Sequence, residues 1–327
     1  MIKAKKLLFL LLITSVAHAQ YTDQINTNRP GESMSAFAVG KTVAQVETGV
    51  FGIMEEHNVL NYEANGVGLD LTLRYGAFLE ELEFIFDMQY QFDQYSNALE
   101  TYNRNDFRQL SFGAKYLFYD PDKYYKPEVN VKSWKANRKF KWHSIIPALA
   151  GYVGVNFMGG SNNPYTFPQD GVSPKVMLIA HNHFGRWVWV NNFIGDRLYV
   201  LGADTPTDHM SFGWISTLTR GFNEKWSGFI EFQGYDSDYY SDGIFRLGAA
   251  HLLNDTMQID ASISTNFKDT PSLLYGGVGF SWRFDANYND ILLPGDAENE
   301  KEESKQDKKM KKDKQEEEPE EFQPEGE

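Results

Sequence analysis

The sequence predicts an all-β protein: a transmembrane, antiparallel, up-and-down β-barrel of about 12 strands, followed by a charged C-terminal tail that is disordered or partly helical. Three observations carry this reading. The chain opens on an export signal. Its body alternates apolar and polar residues over stretches of about ten, the length a tilted strand needs to cross hydrocarbon. After the export signal no apolar run is long enough for a spanning helix, so a closed barrel is the spanning structure left that satisfies every backbone group.

Residues 1–19 are the signal. Lys3, Lys5 and Lys6 precede an apolar run from Leu7 to Val16 and the small-x-small site Ala17-His18-Ala19. A basic start, a short apolar centre and such a site read as a signal peptide cut after Ala19. The 327 residues include no Cys, so neither a disulfide framework nor a lipid-modified cysteine is available. The formal net charge of −14 argues against nucleic acid as a partner. Residues 20–41 are polar and turn-rich, and form an N-terminal segment in the periplasm or in the barrel lumen. Within it, Thr27, Arg29, Pro30 and Gly31 stand out. The Pro-Gly pair favours a turn. Arg29 either reaches lumenal acids from that turn or belongs to an ordinary leader.

The barrel is expected over residues 42–284. Strands are predicted near 42–53, 66–77, 81–92, 106–119, 142–157, 174–184, 187–196, 209–220, 225–235, 243–253, 256–267 and 273–284. In "LEFIFDMQYQF", Leu82, Phe84, Phe86, Met88, Tyr90 and Phe92 share one face. Glu83, Ile85, Asp87, Gln89 and Gln91 share the other. "VGLDLTLRY" and "MQIDASISTNF" alternate in the same way. The pattern is weakest at 42–53, 142–157 and 174–196, which leaves the count open by about two strands. A soluble β-sandwich would also alternate, but it does not need so many strands this long, nor so much aromatic surface.

The last strand, "YGGVGFSWRF", places Val278, Phe280, Trp282 and Phe284 toward lipid, with Gly277, Gly279, Ser281 and Arg283 inward. Its terminal aromatics, Phe280, Trp282 and Phe284, resemble the signal read by the barrel-assembly machinery. Short turns are expected at 78–80, 185–186, 221–224 and 254–255, and longer loops at 93–105, 158–173, 197–208 and 236–242. With an even strand count, this places both termini in the periplasm and the barrel in the outer membrane, with lipid around it. The connection 120–141 breaks the pattern. It is long, lies on the short-turn side, and carries seven bases against three acids. Residues 285–327 form the tail. From Asp296 it has 14 acids and 7 lysines, too polar to bury a core. Residues 296–327 are expected to hang in the periplasm as a docking element for a protein partner.

The inward face carries Asp70, Arg74, Glu83, Asp87, Lys115, Glu231, Arg246, Asp260 and Arg283. Two readings stand: a charged open pore, or a lumen filled by paired side chains, since a barrel of this size lies between filled and channel-forming ones. His181 and His183 share a face, but no third ligand accompanies them, and no metal or other cofactor is expected. No lipase motif is present, so no enzyme activity is expected.

The stretch "INTNRPGESMSAFAVGKTVAQVETGVFG", residues 25–52, resembles the start of the outer-membrane barrels grouped as the MetA-pathway of phenol degradation family. The likeness rests on Thr27, Arg29, Pro30 and Gly31, on Gly40-Lys41, and on Gln45, Glu47 and Gly49. It extends over roughly residues 25–284. The resemblance implies a porin-like barrel that passes or binds small solutes across the outer membrane; the substrate in the family's name is not carried over. The charged tail is no part of that pattern. It supports the alternative of a non-conducting accessory subunit of a larger outer-membrane complex, docking through the tail and loop 120–141.

Overall fold

The structure is a computed structural model that describes residues 24–124, 145–158, 163–165, 171–199, 201, 210–237 and 240–285. The expected signal peptide, the basic loop beyond residue 124 and the tail from 286 lie outside the described residues. By contacts the chain divides into residues 1–286 and a second unit, 287–327. The first unit holds the strands β1 (Val43–His57), β2 (Tyr62–Gly76), β3 (Leu82–Asn97), β4 (Thr101–Tyr119), β5 (Ala148–Met158) and β6 (Gly171–Phe184). They are followed by β7 (Trp187–Asp196), β8 (Ser211–Gly221), β9 (Trp226–Ser237), β10 (Asp242–Asn254), β11 (Met257–Asn266) and β12 (Ser272–Asp285). A single-turn helix, α1 (Pro121–Tyr124), follows β4. Each strand pairs with the next, and β1 pairs with β12, so the sheet closes as an antiparallel barrel of 12 strands.

Alternation sorts the two faces. On β12, Val278, Trp282 and Phe284 are exposed on the outer wall, while Ser281 and Arg283 are buried inside. The outer wall carries a belt of exposed Leu, Val, Ile, Phe and Trp, including Leu69, Val153, Leu178, Trp214, Ile230 and Ile263. Such a belt has no soluble partner and suits hydrocarbon.

The strand ends correct the expected loops. β1 to β4 run for 15, 15, 16 and 19 residues, so the predicted loop 93–105 is instead a paired hairpin closed at residues 98–100. Asp93 faces Arg104, and Tyr95 faces Tyr102. The signal is lost here because both faces are polar beyond the apolar belt. A bulge at the Gln89/Tyr90 register shift, which makes Arg108 the extra residue on β4, also inverts the alternation. The turns 58–61 and 267–271 are likewise short. Strand β5 begins at Ala148 rather than near 142.

The weak alternation in β5 to β8 has a different cause. Their inner faces are largely apolar: Ala148, Ala150, Tyr152, Met177, Ile179, Val190, Ile194 and Ile215 join one buried cluster with Ile85 and Leu117. With lipid outside and an apolar core inside, both faces read as hydrophobic. The rim that carries Val43 and Phe284 is called the near rim below, and the opposite one the far rim.

Ile263→Arg, on the outer wall, is expected to destabilise the barrel by about 2–4 kcal/mol near the bilayer midplane. Gln89→Arg, on the inner face, is expected to cost clearly less. Urea unfolding in lipid vesicles checks both, and equal losses would contradict the assignment of faces.

Candidate functional site

Residues 24–40 do not lie outside the barrel. They form a strap that enters the lumen at the near rim, crosses it, and returns to the near rim at β1. At the start, the Arg283 guanidinium donates to the Gln24 carbonyl at 3.1 Å, and the Ile25 amide donates to the Asp255 carbonyl at 2.7 Å. Arg74 and Gln45 both donate to the Asn26 carbonyl, at 2.6 and 3.1 Å. The Thr27 and Ser281 hydroxyls meet at 3.1 Å, and Glu47 accepts the Asn28 amide at 3.2 Å.

Arg29 marks the next turn of the path. On the wall, Asp70, Gly49, Gly279 and Asp260 are consecutive register partners on β2, β1, β12 and β11. The guanidinium lies over the two glycines and is held by the two carboxylates. It bonds Asp70 on one side and Asp260 on the other, the latter at 3.2 Å from Nη2. A Cβ at Gly49 would stand 2.4 Å from Arg29 Nη2, and one at Gly279 2.1 Å from it. The glycines are therefore the floor of an arginine slot, a close approach that only glycine permits.

Across the lumen, Glu231 accepts the Glu32 and Ser33 amides at 3.1 and 3.3 Å, and also the Thr217 hydroxyl at 2.6 Å. Arg246 pairs with the Glu32 carboxylate at 2.8 Å and reaches the Pro30 carbonyl. Burial raises the pKa of Glu32, but Arg246 outweighs it and holds the group below the ordinary carboxylate value. Asn192 then reads the Met34 peptide from both sides, accepting its amide at 2.6 Å and donating to its carbonyl at 3.0 Å.

The returning limb is apolar. Met34 and Ala36 join the buried cluster, with Phe37 packed against it. The Phe37 ring meets His181 edge-on at 4.9 Å, so His181 serves packing, with its Nδ1 3.3 Å from the Ser35 hydroxyl. Lys115 Nζ donates to the Ser35 and Phe37 carbonyls at 2.6 and 3.0 Å, and Glu83 accepts the Val39 amide at 2.9 Å. The strap ends at Gly40, whose carbonyl lies where a Cβ on Gly76 would have to sit.

Beneath the strap runs a chain of buried charge. Glu47 pairs with Arg74 at 3.1 Å, Arg74 with Glu83 at 3.0 Å, and Glu83 with Lys115 at 2.6 Å; all four side chains are almost wholly buried. Unpaired, each would be strongly destabilising. Here signs alternate, and each of the four also bonds strap backbone, while the buried Arg74 Nε makes no hydrogen bond among the described residues.

Eight of the nine inward charges named from sequence thus touch the strap or pair beneath it. Asp87 does not: it accepts the Thr72 hydroxyl at 2.8 Å. Gln45, Glu47, Thr217, Asn192 and Gln258 were not singled out as lumenal contacts. Gln45, Glu47 and Gly49 did stand in the family motif, which was the available signal. Gly31 lies against Glu231, where a Cβ would meet Oε2 at 2.6 Å. Trp282 and Phe284 lie on the outer wall with ring centroids 4.0 Å apart, and Phe280 shares their face.

On the far side of the strap, Arg108 lies over the Tyr275 ring, 4.9 Å from its centroid. Arg104 pairs with Asp93 at 2.7 Å. Gly279→Val is expected to expel Arg29 from its slot. Amide exchange should then rise across residues 25–33, while the barrel strands stay protected. Unchanged exchange in that span would show that the slot does not hold the strap.

Among solved structures, the first of those below shares the fold. An outer membrane channel from Pseudomonas putida F1 superposes with a TM-score of 0.53 at 10% identity, over 80% of this chain and 100% of that one. The NanC porin gives 0.45 at 9% identity, covering 72% and 98%. The monoaromatic hydrocarbon channel CymD gives 0.40 at 9%, covering 76% and 90%. No curated protein matches the sequence. The pattern of the family described as "Putative MetA-pathway of phenol degradation" matches residues 27–284, from the strap to the end of the last strand, and the chain belongs to that family.

Proposed function

We propose that the protein passes small solutes across the outer membrane, and that the outgoing limb of the strap, residues 24–33, is the part that moves. The observation behind this is the division of the strap. The outgoing limb is held almost entirely by hydrogen bonds and ion pairs to wall side chains. Water can replace such contacts, at a net cost of about 1.5–3 kcal/mol for each hydrogen bond to a charged group. The returning limb, from Met34, is fixed by apolar burial and stays. Withdrawal of the first limb would open the arc lined by β9 to β12 and β1 to β2, whose inner face carries Glu47, Asp70, Arg74, Glu231, Arg246, Asp260 and Arg283 beside apolar Val43, Ile53, Phe229 and Ala250.

The two-residue turns 185–186 and 255–256 lie on the near rim and the connections 159–170 and 197–210 on the far rim, which supports a near rim in the periplasm, as outer-membrane barrels keep short turns there, although 58–61, 98–100 and 267–271 on the far rim are short and 120–147 on the near rim is long. A cysteine at Leu99, on the far rim, should then react with an impermeant thiol reagent in intact cells. One at Glu224, on the near rim, should react only after the outer membrane is opened. The reverse pattern would invert the orientation.

Because the strap crosses the lumen, a second reading stands beside the first: a non-conducting subunit of a larger complex, with residues 296–327 as its docking element. Planar-bilayer recordings separate the two. Deleting residues 24–33 should raise unit conductance several-fold over the full-length barrel. Silence from both proteins in verified insertions would remove the transport reading and leave the second.

A further inference from the structure

Glu32 is the only acid between Gln24 and Gly40, as Arg29 is the only base. Each is matched by opposite charge on the wall, but the two sites differ in access. The Glu32 side chain is 37% exposed and its partner Arg246 16%, whereas Arg29 is 15% exposed and its partners Asp70 and Asp260 21% and 0%. The Glu32 pair is thus the strap's contact most open to the lumen.

The basic side of that pair has unused capacity. Arg246 bonds Glu32 and Pro30 through Nη1, and its Nε, buried while Glu32 is in place, makes no hydrogen bond among the described residues. A carboxylate engaging the guanidinium edge would use Nε and one Nη together, the bidentate geometry that arginine favours. Arg108 adds a second cation. It is the extra residue of the β4 bulge, a position that re-aims a side chain, and it reaches Tyr275 on β12. Its contacts are that ring and the Gln91 side chain, and among the described residues no carboxylate lies within ion-pair distance. On the wall, Tyr275, Ser264 and Arg246 are consecutive register partners on β12, β11 and β10, which brings Arg108 to the level of Arg246. Phe51, tilted against Tyr275 with centroids 6.5 Å apart, supplies apolar surface beside these cations.

We propose that Arg246, with Arg108 as a second cation, forms a carboxylate-binding site on the far face of the strap. Glu32 occupies the Arg246 side of it at rest, and a small solute bearing a carboxylate displaces Glu32 and loosens the outgoing limb. The inference rests on the reading of the strap as the moving part, and adds the chemical class that moves it. A carboxylate is specified because Glu32 is itself the template, and because a planar two-oxygen anion fits the guanidinium edge as a spherical ion does not.

The chain has no cysteine, so one at Ser33, buried beside Glu32, reports on the limb alone. The S33C protein in lipid vesicles is exposed to an impermeant maleimide in sodium acetate, in sodium chloride at equal ionic strength, and in acetamide. Acetate should raise the labelling rate in a saturable way, roughly tenfold, which corresponds to about 1.4 kcal/mol. Chloride and acetamide should not. In S33C/E32Q the rate should be high without acetate, and in S33C/R246Q it should lose its acetate response. An equal effect of chloride would mean screening rather than a site and would overturn the proposal, as would an acetate response that survives R246Q. Currents are recorded separately. An acetate response without conductance would leave the site standing and remove transport. Conductance without an acetate response would do the opposite.

Discussion

Backbone placed inside a barrel cannot join the sheet that surrounds it, because every wall amide and carbonyl is already spent on a neighbouring strand. The strap must therefore find side-chain partners for its own peptide groups, and an unpaired buried one is costly. Much of the inner wall follows from this. Asn192 faces one peptide from both sides, Glu231 collects two amides, Lys115 collects two carbonyls, and Arg74 and Gln45 converge on one more. What resembles a charged pore lining in the sequence is largely a mould for irregular backbone.

The mould has two halves made of different material. Along β9 to β12 and β1 to β2 it is largely polar and speaks to the outgoing limb. Along β5 to β8 it is largely apolar, with Asn192, His181 and Thr217 as its polar members, and receives Met34, Ala36 and Phe37. Between them lies the chain Glu47–Arg74–Glu83–Lys115. Such a buried series is weak as a source of stability, since desolvation offsets the attraction. Its worth here is positional: two of its members hold backbone groups of the returning limb, and a third holds the carbonyl of Asn26.

The barrel was legible in the sequence because lipid and lumen impose opposite demands on alternate residues, and β2, β3, β11 and β12 obey both. The charges Asp70, Glu83, Lys115 and Asp260 were legible as inward residues for the same reason. Their partners were not. A pairing such as Arg29 with Asp260 spans most of the chain, and nothing local announces it. Where one demand lapsed, the pattern lapsed too. β5 to β8 face apolar surroundings on both sides, and the far ends of β3 and β4 face water on both sides, so neither alternates cleanly. The glycines of the last strand could be read as inward and small, but not as the floor of a slot.

That slot lies on the seam of the barrel. Gly49 belongs to the first strand and Gly279 to the last, and the flanking carboxylates come from the second and the eleventh. Before β1 and β12 meet, neither the floor nor the facing pair of acids exists. Arg29 can dock only after closure, so its docking reports that the right two edges have met. A barrel closed one register out of step would offset Gly279 from Gly49 and leave the two acids out of line. The same arginine that fastens the strap is thereby a keystone, set last, whose seat exists only in a correctly sealed wall.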